Sequence, residues 1–168
     1  MKYLKNGLVI YLALLFQASV IPALFPRWVV PDIVFCLSSV AAIVGGSVPG
    51  VIVGAVGGLM QDALTGSFIG ANAGANMALA AAIGIIEPEL FKESLLTPAA
   101  VVGMGSVVRE LLYMFMIGSF GASVDMGRAV FVVLPWITTL NCCAGVLIYR
   151  MYYLAPLERH RPSAAVWS

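Results

Sequence analysis

Charged residues interrupt this chain only at wide intervals. Uncharged, mostly apolar blocks run over 6–26, 33–61, 63–86, 94–108 and 129–149. A helix of about 20 apolar residues crosses the hydrocarbon core of a bilayer, and a helix satisfies its own backbone groups where lipid offers no partner. The blocks predict six membrane helices over 7–25, 31–45, 48–65, 68–86, 98–118 and 129–153. The second is short, and a continuous hairpin with the third is the other way to draw it.

Composition sharpens this picture. Of the 168 residues, 61% are hydrophobic and only 10% charged, against about 25% charged in soluble domains. No water-facing domain of any size remains. The expectation is an all-α integral membrane protein, a six-transmembrane-helix bundle over 1–154, with a short basic tail over 155–168 expected to be disordered. Lys2 and Lys5 precede an apolar run, as in a signal peptide, but Phe16 and Ile21 stand where Ala18 and Ala23 would need a small residue two positions earlier. Such a cleavage site requires an Ala-x-Ala-like arrangement, so the first helix is expected to remain as an anchor.

Orientation follows from the basic residues, which gather on the cytoplasmic side of short loops. With the N-terminus inside, Lys2, Lys5, Lys92, Arg150, Arg159 and Arg161 face the cytoplasm, and only Arg27 and Arg128 face outward. Both termini are therefore expected inside. The tail can also rest on anionic lipid, each basic residue near the surface adding about 1 kcal/mol.

Candidate chemistry is sparse. Cys36, Cys142 and Cys143 lie in predicted spans without Cys-x-x-Cys spacing, and the single histidine, His160, sits in the tail. No metal site, phosphate loop or nucleophile elbow emerges, and no cofactor is implied. Net charge is +1 with no basic face, which argues against a nucleic-acid partner.

What remains is small residues and a few intramembrane polar groups. Gly50, Gly54, Gly58, Asp62, Gly66 and Gly70 repeat every four residues. Within one helix that spacing makes a slowly drifting stripe, and small residues so placed let two backbones approach closely. The stripe can pack inside this chain's own bundle or form a seam for a partner helix. Gly66 and Gly70 are expected to make the turn into the next helix, where Gly74, Ala78 and Ala82 continue the theme and Asn72 and Asn76 share a face. Asp62 can pair with Arg109, cap the Thr65-Gly66-Ser67 turn, or serve a proton path. Glu110 adjoins Arg109, and neighbours about 100° apart on a helix leave in different directions. An intramembrane charge is a functional flag by default.

The residues then resemble a family. Pro31-Asp32 opens a short apolar helix, and a glycine-rich helix runs into GLMQDALTGSFIGANA with Gly58, Asp62, Gly66 and Gly70. This region is similar to that of the bacterial rod shape-determining membrane protein MreD family. The last helix, LPWITTLNCCAGVLIYRMYYL, resembles that family's Pro-bearing final helix, with Asn141 and a basic end. Length, helix count and short loops extend the likeness over nearly the whole chain. The pair Arg109-Glu110 has no role carried over.

The resemblance implies a non-enzymatic scaffold of the cell-elongation machinery in the bacterial inner membrane. Its implied direct partner is MreC, a single-span protein, and through it the actin-like filament and the glycan polymerase and transpeptidase pair. It also implies a fold similar to the substrate-binding subunits of energy-coupling-factor vitamin transporters. A ligand-binding subunit of such a transporter is accordingly the alternative. Those subunits carry Ala-xxx-Ala in the first helix, whereas Ala13 and Ala18 are five apart and only Ser19 and Ala23 approximate the spacing. An intramembrane hydrolase would have to use Ser106 with Glu110, a poor constellation for nucleophilic catalysis.

Overall fold

The computed structural model describes residues 30–66, 68–119, 121 and 126–154. Among them every regular element is helical. The predicted first helix over 7–25 and the tail over 155–168 lie outside the described residues, as does Ser67.

Helix α1, Ile33–Gly45, begins where the Asp32 side chain accepts the Phe35 amide at 2.9 Å. An acidic N-cap satisfies one of the orphan donors of a helix start. The helix ends at Gly46, and α2, Ser47–Thr65, starts at the next residue. The two helices turn back on each other at Gly46, with Gly50 against Ala42 and Ser38, and so form a helical hairpin. Helix α3 is Ala71–Ile86, followed by a tight 3-10 turn at Glu87–Glu89. Helix α4 is Leu96–Ser119, and α5 is Leu134–Tyr149. Before α5 the backbone winds through a helical turn at Met126–Arg128 and a wider π turn at Ala129–Val133, where the Leu134 amide bonds to the Ala129 carbonyl. Pro135 lacks an amide hydrogen, and its ring crowds the preceding turn; the wider winding beside it relieves that crowding. A second π turn, Arg150–Leu154, follows α5.

The short helix is the centre of the bundle. Helix α1 packs on α2, α3, α4 and α5, and Val34, Phe35, Cys36, Ser38, Ser39, Val40, Ala42 and Ile43 are all buried. At about 1.5 Å per residue it is too short to cross a hydrocarbon core of about 30 Å. Three others are long and apolar enough to do so: Ser47–Thr65, Leu96–Ser119 and the stretch Ala129–Tyr152.

Burial is inverted relative to a water-soluble protein. The outer surface carries Val48, Ile52, Val56 and Leu59 of α2, Met104, Val108, Leu111 and Phe115 of α4, and Phe131, Trp136 and Leu147 around α5. Asp32, Gln61, Asp62, Asn72, Asn76, Ser106, Arg109, Glu110 and Asn141 are buried. Apolar side chains outside and polar ones inside suit a lipid environment, where only interior partners can satisfy polar groups.

Antiparallel α4 and α5 have a register that two contacts define. A Cβ added at Gly145 would meet Val102 at 2.8 Å, and Asn141 Nδ2 donates to Ser106 Oγ at 2.8 Å.

Candidate functional site

The glycine stripe faces this chain's own helices. A Cβ on Gly50 would lie 2.6 Å from Ala42 Cβ and 3.0 Å from the Ser38 carbonyl, both on α1. On Gly54 it would lie 3.1 Å from the Asn76 carbonyl, and on Gly58 it would strike the Ala73 backbone on α3. Close backbone approach is what small-residue stripes permit in a membrane, and here α1 and α3 occupy the stripe. It is a packing seam within the bundle rather than an open groove.

Asp62 sits at the end of that stripe, fully buried. It accepts the backbone amides of Gly70 at 2.8 Å, Asn72 at 3.2 Å and Ala73 at 3.5 Å, and the Asn72 side-chain amide at 2.7 Å. A carboxylate at a helix N-terminus meets both unpaired donors and the positive end of the helix dipole. Asp62 thus caps α3 from across the turn. The expected cap of the Thr65-Gly66-Ser67 turn involves Ser67, outside the described residues; Thr65 itself donates its hydroxyl to the Gln61 carbonyl at 2.9 Å. Gly66 and Gly70 explain how the chain comes back. Both have left-handed backbone, φ +64° and +96°, a conformation that glycine adopts without steric cost, and together they swing the start of α3 onto Asp62.

Arg109 is the hub of the polar interior. Its Nη2 meets Asp32 Oδ2 at 2.5 Å, and its Nη1 meets Glu110 Oε1 at 2.5 Å. Nε donates to Asn76 Oδ1 at 3.3 Å, and Nη2 also donates to Asn72 Oδ1. The guanidinium lies 5.1 Å from the centre of the Tyr113 ring. A planar group with five donors is suited to such branching. The direct pairing of Arg109 with Asp62 is replaced by a relay, since Asn72 accepts from Arg109 and donates to Asp62. The neighbouring side chains of Arg109 and Glu110 leave the helix in different directions, yet their flexible tips converge.

The network continues to α5. Asn141 Oδ1 accepts the Asp32 backbone amide at 2.7 Å, the Asn141 carbonyl accepts the Cys36 thiol at 3.3 Å, and Asn141 Nδ2 reaches Ser106. Asp62, Asn72, Asn76, Arg109, Glu110 and Asn141 are therefore brought together in one layer that joins all five described helices. Gly50 and Gly54 lie along the seam away from it. Sequence reasoning missed Asp32 as the partner of Arg109; the available signal was an acid directly before an apolar helix, which reads equally well as a cap, and Asp32 is both. Asn76 Nδ2 and Gln61 Oε1 are buried and lack a hydrogen-bond partner among the described residues. Ser106 Oγ is engaged by Asn141, and among the described residues no group of His, Cys, Asp and Glu is placed to hold a metal ion.

Among the described residues, fold and site together define an all-helical bundle with a polar core, an apolar exterior and three helices long and apolar enough to cross a membrane. No family model, curated protein or solved structure matches it.

Proposed function

We propose that this chain is a non-enzymatic membrane scaffold of the MreD type, acting in the lateral cell-wall elongation machinery of a bacterial inner membrane. In this reading residues 7–25 complete a six-helix bundle with both termini cytoplasmic, similar in fold to energy-coupling-factor substrate-binding subunits. Its direct partner is a single-span MreC-like protein, which links it to the actin-like filament and the glycan polymerase and transpeptidase pair.

One observation carries the reading. The residues on which the family resemblance rests, Asp32, Gly58, Asp62, Gly66, Gly70 and Asn141, all serve one buried joint or the turn that forms it. A motif whose members hold helices together is what a scaffold fingerprint requires, whereas a catalytic motif would direct its polar atoms at a substrate. Because Gly50, Gly54 and Gly58 are consumed inside the bundle, the partner helix docks on the outer apolar faces instead.

Gentle affinity purification from native membranes, with mass spectrometry of the co-purifying proteins, tests the proposal. Recovery of an MreC-like protein and elongation enzymes is expected. Recovery of transporter ATPases and a coupling subunit would replace the scaffold with a vitamin-binding subunit.

A further inference from the structure

Helix α4 has the length and composition to cross a membrane, but it carries its charges at mid-span. Helices α1, α3 and α5 contain no charged residue, and α2 contains only Asp62, close to its end. Arg109 and Glu110 instead stand well inside Leu96–Ser119. At 1.5 Å per residue, Arg109 lies about 20 Å from Leu96 and about 15 Å from Ser119 along the axis. On insertion scales one arginine at a helix centre cancels roughly five to ten Leu, Ile, Phe or Val side chains. Helix α4 holds nine of those types, an apolar gain that Arg109 by itself largely removes.

Pairing within α4 does not lift this penalty. Glu110 covers Nη1, and Tyr113 offers its ring face. Nε and Nη2 still need acceptors, because donors left bare are costly in lipid. Their acceptors are Asn76 for Nε, and Asp32 and Asn72 for Nη2. Asp32 stands at the start of α1, and both asparagines lie on α3. All three precede α4 in a chain that is synthesised from its N-terminus. Two of them are also held by contacts that do not involve α4. Asp32 is fixed by the Phe35 amide, and the Asn72 side chain is fixed by Asp62.

We propose that α1 and α3 form a preorganised receptor that admits α4 into the membrane. Helix α4 crosses because Asp32, Asn72 and Asn76 receive Arg109, and not on the strength of its apolar surface alone. The buried joint thereby makes membrane insertion of the later helix conditional on correct packing of the earlier ones. This role is independent of the scaffold reading above.

The side of the membrane reached by each end of α4 tests this. The full chain is made by cell-free synthesis with inverted vesicles of bacterial inner membrane. Cys36, Cys142 and Cys143 are replaced by serine, which keeps a donor at each position. A single cysteine is introduced as Glu93→Cys or Ser119→Cys, exposed positions at the two ends of α4. Each is probed with a membrane-impermeant maleimide before and after detergent. With the joint intact, one position is labelled at once and the other only after detergent. Asp32→Asn with Asn72→Ala removes the counter-charge and one acceptor while keeping an N-cap on α1. In that variant both positions are expected on the same side in most molecules. Adding Arg109→Leu and Glu110→Leu is expected to return them to opposite sides, which a merely misfolded chain would not do. Opposite sides retained in the Asp32→Asn, Asn72→Ala variant would overturn the proposal. So would a shared side that persists after the two leucine substitutions, or a shared side with the joint intact.

Discussion

Helix α3 is held on two sides by opposite means. Against α2 it is gripped by absence: Gly54 and Gly58 leave no side chain, and the backbones at Ala73 and Asn76 fill the space. Against α4 it is gripped by reach: the long Arg109 side chain crosses to Asn72 and Asn76, then on to Asp32 at the start of α1. Neither contact draws on the hydrophobic effect, which does little between helices in lipid. The difference lies in what a change costs. A seam of glycines fails by steric overlap at one point, whereas a charged hub fails by leaving several partners uncompensated at once.

That contrast sets the order of expected effects. Removing the hub is the most damaging, because Arg109→Met leaves Asp32 and Glu110 buried without a counter-charge. Breaking a buried pair by removing one partner costs about 3–5 kcal/mol, so unfolding in denaturant-titrated detergent should shift by that amount and membrane accumulation should fall. Arg109→Lys should rescue only part of this, since an ammonium cannot serve four acceptors in one plane. Next comes the seam. Gly58→Ala pushes a methyl into the Ala73 backbone, and overpacking of this kind costs about 1–3 kcal/mol; Gly54→Ala, with its nearest contact at 3.1 Å, should cost less in the same assay.

Asp62→Asn should cost about 1 kcal/mol, the scale of losing charge and part of a cap at a helix N-terminus. Hydrogen exchange should locate the loss at the first amides of α3, from Asn72 to Ala73. The smallest effect is expected for Asn141→Leu, which removes side-chain bonds to Ser106 and the Asp32 amide. Interhelical hydrogen bonds in membranes average about 0.6 kcal/mol, so a loss near 1 kcal/mol should appear in the unfolding titration. If Asn141→Leu proved worse than Arg109→Met, the hub and its periphery would have to be exchanged.

These two grips were unequally legible in the sequence. Positions of the described helices followed from long uncharged blocks, and the four-residue glycine spacing marked a packing face because steric fit is local to one helix. Even so, spacing could not tell whether the face met α3 or another protein. The polar joint was harder, since its partners are remote in sequence: Asp32 and Arg109 meet only because α1 is threaded through the middle of the bundle. A 100° step between neighbours correctly separates the Cβ directions of Arg109 and Glu110, but two long flexible side chains close the gap at their tips. Asp62 was readable as belonging to the turn. The amides it accepts from, those of Gly70, Asn72 and Ala73, depend on left-handed backbone at Gly66 and Gly70, which residue identity permits without dictating.

The most direct test of the hub is a pair of double-mutant cycles in detergent, joining Arg109→Gln first with Asp32→Asn and then with Asp62→Asn. Residues in one charged network couple by about 0.5–3 kcal/mol. Asp32→Asn should substantially relieve the damage of Arg109→Gln, because it removes the carboxylate left unpaired, while Asp62→Asn, one asparagine removed from the hub, should couple far more weakly. Additive behaviour with Asp32 and strong coupling with Asp62 would contradict the assignment of Asp32 as the partner of Arg109.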